Sequence, residues 1–226
     1  MDLRENLSRV KERIFRSASR AGRNPDEITL IAVSKTVDSS TITQMIKCGH
    51  SIFGENRPQI LRDKSKELAH EKISWHMIGN LQKNKIKYVY PLVELVHSID
   101  NIELIDEFIH FAEKTGKICP CLLEVHISDE NSKQGFHPAE ILEIVASTNE
   151  KKNLDIRGFM GMAPFTDDET AVRGAFRKLR NLFDESKKIQ SCSYKPEILS
   201  MGMSDDFEIA IEEGSTMVRI GRALFS

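Results

Sequence analysis

Four cysteines in 226 residues are too few to staple a disulfide scaffold. The Cys119-Pro120-Cys121 pair lacks the second half that a zinc site needs. Cys48, Cys119, Cys121 and Cys192 therefore read as reduced thiols of a cytoplasmic protein. Basic residues (32 Lys and Arg) do not outnumber acidic ones (34 Asp and Glu), and the formal net charge of −2 leaves no basic footprint for nucleic acid. No apolar run is long enough to span a bilayer, and no signal peptide opens the chain. No Gly-x-Gly-x-x-Gly follows the first strand-like run, which argues against a dinucleotide fold. There is no internal repeat, low-complexity segment or linker. The expectation is one domain over residues 1–226.

What is present suits that expectation. Hydrophobic residues make up 40% and charged residues 29%, enough for a sizeable core under a solvated surface. In residues 1–22, Leu3, Leu7, Val10, Ile14 and Ala18 recur on one helical face, with Gly22 as a stop. This predicts an N-terminal helix packed outside the main body. Buried-type runs then occur near residues 28–34, 51–53, 73–77, 94–98, 119–127, 155–159, 197–201 and 216–220. Helical patterns separate them at 39–48, 58–70, 102–115, 138–149, 170–186 and 205–213. Pro58 and Pro138 suit first-turn positions, and Gly49, Gly116 and Gly214 suit helix ends. Such alternation predicts a parallel sheet with right-handed crossovers. Eight strands predict an α/β fold closed as a (β/α)8 TIM barrel, with an open doubly wound sheet as the alternative.

In a barrel, residues just past each strand converge at one mouth. The first strand, Ile28-Thr29-Leu30-Ile31-Ala32-Val33, is apolar and β-branched, then stops at Ser34-Lys35. A lysine there can act as an amine nucleophile toward a carbonyl, or simply start a solvated loop. The seventh and eighth strands end in Ser200-Met201-Gly202-Met203-Ser204-Asp205-Asp206 and Val218-Arg219-Ile220-Gly221-Arg222. Gly202 and Gly221 leave backbone N–H groups open, and Ser204 is placed as the N-cap of a helix at 205–213. Loops after strands seven and eight form the usual phosphate site of barrels, although these glycines can equally serve only to turn the chain. An amine and a phosphate cradle at one mouth suggest a ligand with both an aldehyde and a phosphate.

Ala32-Val33-Ser34-Lys35-Thr36, Phe53-Gly54-Glu55-Asn56, Trp75-His76-Met77-Ile78-Gly79, Leu81-Gln82-Lys83-Asn84-Lys85 and His97-Ser98-Ile99-Asp100 follow in order. With Ser200 to Asp206 and Gly214 to Gly221, they make the chain resemble the pyridoxal phosphate homeostasis family of the YggS/PROSC type, itself similar to the N-terminal barrel of alanine racemase. The resemblance implies that Lys35 holds pyridoxal 5′-phosphate as a Schiff base and that Arg219 faces the pyridine nitrogen. It implies phosphate contacts from Ser200, Met201, Gly202, Ser204, Gly221 and Arg222, and ring contacts from Asn56 and His76. A guanidinium can only donate, so Arg219 keeps the ring nitrogen unprotonated and the ring a poor electron sink.

Three functions follow: a cofactor carrier serving vitamin B6 homeostasis, an amino-acid racemase, or a barrel binding another phosphorylated metabolite. Racemisation needs a proton-transfer group on each substrate face, and alanine racemase draws one, a tyrosine, from a further domain of its partner subunit. Tyr88, Tyr90 and Tyr194 lie in no mouth motif. The carrier reading is therefore preferred, with a cytoplasmic monomer, apo-enzymes as partners, and no nucleic acid, metal or membrane. Lys83, Lys85 and Lys87 form either a solvated helix face or a surface for a partner or second cofactor molecule. Residues 128–135 are polar, and form either a lid or an ordinary loop.

Overall fold

The structure, a computed structural model, describes residues 2–128 and 134–226. Eight parallel strands close into a barrel in chain order: β1 (Thr29–Val33), β2 (Ile52–Glu55), β3 (Ser74–Met77), β4 (Leu95–Ile99), β5 (Cys121–Glu124), β6 (Ile156–Met160), β7 (Tyr194–Ser200) and β8 (Met217–Ile220). β8 pairs with β1 through Thr29 opposite Met217 and Ile31 opposite Arg219, which closes the ring and leaves no edge. The α-helices among the described residues are α1 (Leu3–Arg20), α2 (Ser39–Lys47), α3 (Pro58–Glu67), α4 (Ile86–Val89), α5 (Ile102–Thr115), α6 (Ile141–Ser147), α7 (Glu169–Ser186), α8 (Phe207–Glu212) and α9 (Arg222–Phe225). None is long and apolar enough to cross a membrane.

The core lies in two places. The larger part fills the space between the strands and the surrounding helices, where Phe53, Phe108, Phe159, Phe176 and Phe207 are fully buried. A smaller cluster of Ile31, Leu95, Leu122, Met160 and Met217 forms apart from it, with Ile52 and Ile198 against its flank. These residues sit on seven of the eight strands at positions that face the barrel axis, so they form a plug, not a pore.

The amphipathic stripe of α1 is buried as its spacing predicts, and it packs on α8 and α9. Asp2 caps it by accepting from the N–H groups of Arg4 and Glu5. Asn6 Nδ2 donates to the carbonyls of Leu224 and Ser226, tying the two chain ends together. Pro58 stands at the start of α3, and Gly116 ends α5 in the left-handed region at φ 68°.

Three expectations are corrected. Pro138 does not begin a helix: residues 138–140 form a turn in which the Ala139 N–H donates to the His137 ring, and α6 starts at Ile141. The fifth strand ends at Glu124 instead of running on to residue 127: Val125 still donates to the Met160 carbonyl at 2.8 Å, but there the chain bridges Phe136, and the His126 N–H donates to the Phe136 carbonyl at 2.9 Å. The seventh strand begins earlier than its apolar run, at Tyr194, whose hydroxyl is held at 2.5 Å by Ser186 Oγ. The one-turn helices α4 and α9 are too short to show a helical period.

Candidate functional site

Strand alternation decides which side chains reach the barrel axis. Above the apolar plug, the next inward positions are Gly54 on β2, His76 on β3, His97 on β4, Glu124 on β5, Ser200 on β7 and Arg219 on β8. Apart from Gly54 they are polar, and all five side chains are buried. Gly54 is required there, since a Cβ would lie 2.8 Å from Ile31 Cγ2. One step further, the chain emerges at the mouth.

A cavity of about 470 Å³ opens at that mouth, within the range of small-molecule sites. Val33, Ile78, Met162 and Met203 give it apolar walls. Lys35, Asn56, Glu124, Ser204, Arg219 and Gly221 supply its polar groups. Lys35 stands two residues past the end of β1 and is exposed. Behind it, Lys64 Nζ donates to the Ser34 carbonyl at 2.7 Å and to Glu55 Oε1 at 2.6 Å. Ser34 Oγ donates to the same Glu55 oxygen at 2.7 Å. A buried ion pair thus fixes the backbone immediately before Lys35.

Arg219 is almost wholly buried. Its Nη1 donates to the Ser200 carbonyl at 2.9 Å and to Ser200 Oγ at 2.7 Å, and its Nη2 donates to the Gly161 carbonyl at 3.2 Å. Burial pulls its pKa down to about 10, opposed by the charges of Asp206 and Glu124, so it stays protonated at neutral pH. Burial also pushes the Glu124 carboxyl up to about 7, with Asp100 adding to the effect and the Gln134 amide and Arg219 opposing it. A carboxyl that titrates near neutrality at a cavity wall can both give and take a proton.

The sequence-predicted residues divide into two groups. Lys35, Asn56, Ser204, Arg219, Gly221 and Arg222 come together around the cavity. His76, Ser200, Met201 and Gly202 do not line it. The Ser200 hydroxyl is engaged by Arg219 and His97. Gly202 has φ 94°, and a Cβ there would lie 2.6 Å from Ala210 Cβ, so its missing side chain admits α8. Ser204 does not cap α8, whose N-cap position is Asp206. Its hydroxyl instead accepts from the Gly221 N–H at 3.3 Å and the Ala223 N–H at 3.5 Å, at the start of α9. The expected helix began two residues too early because Asp205 and Asp206 form a turn there, with Asp206 Oδ1 accepting from the Met203 N–H. Asp205 pairs with Arg222 on the surface.

Sequence reasoning missed Glu124 as a wall residue; Gln134 and Met203 belong to segments that the sequence puts at the mouth, without assigning them a ligand contact. A carboxylate within an apolar strand was the one available signal for Glu124. Lys83, Lys85 and Lys87 do not line the cavity; Lys87 Nζ sits 4.9 Å from the Tyr88 ring centre. Of the segment considered as a lid, residues 129–133 lie outside the described residues. Among the described residues no cluster of His, Cys, Asp or Glu has the makings of a metal site.

The family model described as alanine racemase, N-terminal domain, matches residues 3–226. A pyridoxal phosphate homeostasis protein of Aquifex aeolicus (strain VF5) is 41% identical over 225 residues, spanning 100% of this chain and 98% of that protein. One of Escherichia coli (strain K12) is 38% identical over 229 residues, spanning 99% and 96%. The structure of PipY of Synechococcus elongatus PCC7942 with PLP bound superposes with a TM-score of 0.84 at 28% identity, covering 100% of each chain.

Proposed function

This chain belongs to the pyridoxal phosphate homeostasis proteins, within the family of the alanine racemase N-terminal domain, and on that premise we propose that it binds pyridoxal 5′-phosphate at the barrel mouth and keeps it available for other proteins. The observation that carries this is the pairing of the Lys35 amine with the buried Arg219 guanidinium on the walls of one cavity. The donor set suits the cofactor. Lys35 offers an amine for its aldehyde and Arg219 a donor for its ring nitrogen. Ser204 and the backbone around Gly221, joined by the Gly221 N–H to Ser204 Oγ hydrogen bond, would hold its phosphate; Gly221 packs against β1, where a Cβ would meet the Val33 carbonyl at 3.3 Å. When bound, the cofactor supplies an electrophilic aldehyde and a ring able to withdraw electrons.

The residues of the chain then have distinct tasks. Lys35 holds the cofactor covalently through Nζ. Arg219, still protonated at neutral pH, donates to the ring nitrogen and prevents its protonation. Asn56, Ile78 and Met203 line the cavity and would pack beside the ring. Gly221, Ser204 and Arg222 would hold the phosphate; in this structure Arg222 pairs with Asp205. His76, Ser200, Met201 and Gly202 act from behind, by shaping the wall. In this reading residues 1–226 form one cytoplasmic, monomeric unit whose partners are apo-enzymes, and it is a carrier, not an enzyme. The homeostasis names of the relatives point the same way.

Glu124 favours a second reading. It is a proton-transfer group at the cavity that neither tyrosine nor cysteine supplies, so amino-acid racemisation is the competing function. The deciding experiment has two arms. Borohydride treatment of the yellow protein followed by peptide mapping is expected to find the adduct on Lys35, and Lys35→Ala to abolish it; an adduct on another lysine refutes the site. Incubation with L-alanine and L-serine in deuterated water is expected to show at most slow exchange at the α-carbon. Turnover of about 1 per second or more would overturn the carrier reading in favour of the racemase.

A further inference from the structure

The hydrogen bonding of Arg219 does not end at Ser200. The Ser200 hydroxyl lies 2.9 Å from His97 Nδ1, and His97 Nε2 lies 2.9 Å from His76 Nδ1. His76 Nε2 lies 3.3 Å from the Ser74 hydroxyl, which donates to Glu94 Oε2 at 2.6 Å. Five contacts thus connect the cavity wall, through the barrel interior, to an exposed carboxylate just before β4.

The ends of this chain set its direction. A guanidinium only donates and a carboxylate only accepts. With Arg219 Nη1 donating to Ser200 Oγ, the Ser200 proton is free for His97 Nδ1. His97 must then carry its own proton on Nε2 and give it to His76 Nδ1. His76 likewise carries its proton on Nε2, facing Ser74, and Ser74 donates to Glu94. The opposite tautomers would strand the Ser200 proton and take the Ser74 proton away from Glu94. Both rings are neutral at pH 7. Burial lowers His76 to about 4, and burial together with His76 and Arg219 takes His97 well below its ordinary value. Each hydroxyl and ring therefore accepts one bond and donates one, and bonds aligned head to tail reinforce one another.

We propose that His97 and Ser200 are positioning residues for Arg219, members of a one-way hydrogen-bond chain that crosses the barrel and fixes where the guanidinium stands at the cavity wall. The two carbonyls that Arg219 also binds belong to β7 and to the residue after β6. The chain adds a side-chain anchor reaching β3 and β4, so the guanidinium is braced from both sides of the barrel. Its bearing on the cofactor rests on the function proposed above; the chain itself does not.

The test begins on the cofactor-free protein. Two-bond ¹H–¹⁵N correlation spectra of the histidine rings, assigned by the signals lost in His76→Gln and His97→Gln, are expected to show His76 and His97 neutral and protonated on Nε2. Protonation on Nδ1 of either ring, or an imidazolium at pH 7, overturns the proposal. Ser200→Ala is then expected to remove the Nε2 preference of His97. In protein loaded with pyridoxal 5′-phosphate, Ser200→Ala should also move the absorption maximum and weaken retention about tenfold, the loss expected of one hydrogen bond to a charged group. His97→Gln should do the same by a second route. Weaker retention with an unmoved maximum and unmoved His97 tautomer would mark a purely structural role and reject the proposal. If neither wild type nor variant binds the cofactor, the proposed function fails, while the tautomer result still decides the chain.

Discussion

Replacing Lys64 by methionine removes the cation behind Lys35 and keeps most of the buried stem. Glu55 is completely buried, its Oε1 accepts from Lys64 and Ser34, and its Oε2 has no partner among the described residues. Without Lys64 the carboxylate retains one hydrogen bond and no counter-charge, and the Ser34 carbonyl loses its donor. Breaking one side of a buried pair costs about 3–5 kcal/mol, because the remaining charge stays desolvated. For a chain of this size that is a fall in melting temperature of about 10 °C. Urea unfolding and calorimetry of Lys64→Met measure it directly. Glu55→Gln combined with Lys64→Met should recover at least half of the loss, since an amide can both accept from Ser34 Oγ and donate to the Ser34 carbonyl. A single-variant loss below about 1 kcal/mol, or a double variant no better than the single, would refute the account of this pair as the support for Lys35.

Because burial raises the Glu124 pKa to about 7, the folded protein holds a proton that the unfolded chain releases nearer 4.5. Folded stability therefore falls as pH rises from about 4.5 to about 7, by up to about 3 kcal/mol from this group. Glu124→Gln should flatten that part of the urea-unfolding profile and be the more stable protein at pH 7.5; parallel profiles would contradict this. Gly202→Ala should destabilise by about 2–4 kcal/mol, because φ is 94° and the new Cβ would lie 2.6 Å from Ala210 and 2.9 Å from the Phe207 backbone. Gly174→Ala, in open space on α7, should be neutral or stabilise by up to about 1 kcal/mol, and equal effects at the two sites would rule out the packing argument. Arg219→Glu should change the absorption spectrum of the bound cofactor by allowing the ring nitrogen to be protonated; an unchanged spectrum and affinity would mean that Arg219 does not face the ring.

The eight strands, their order and the outer position of α1 were legible because each rests on a local pattern: an unbroken apolar run or a helical stripe. Lys35 was legible for the same reason, as the first lysine past a buried strand. The sequence alone also determined which residues share a face within a strand, since alternation puts Leu30 and Ala32 on one side of β1 and Ile31 and Val33 on the other. Tertiary structure decided the rest. The Ser204 hydroxyl turned from α8 to the start of α9, because the loops after β7 and β8 meet only when the barrel closes. Glu124 gained its raised pKa chiefly from burial and then from Asp100, neither of which its own strand reveals. His76, His97, Ser200 and Arg219 lie on four strands and are up to 143 positions apart in the chain. Local physics could place each on the inner face, but hydrogen bonds form at about 3 Å, and only ring closure brings such distant residues within that reach.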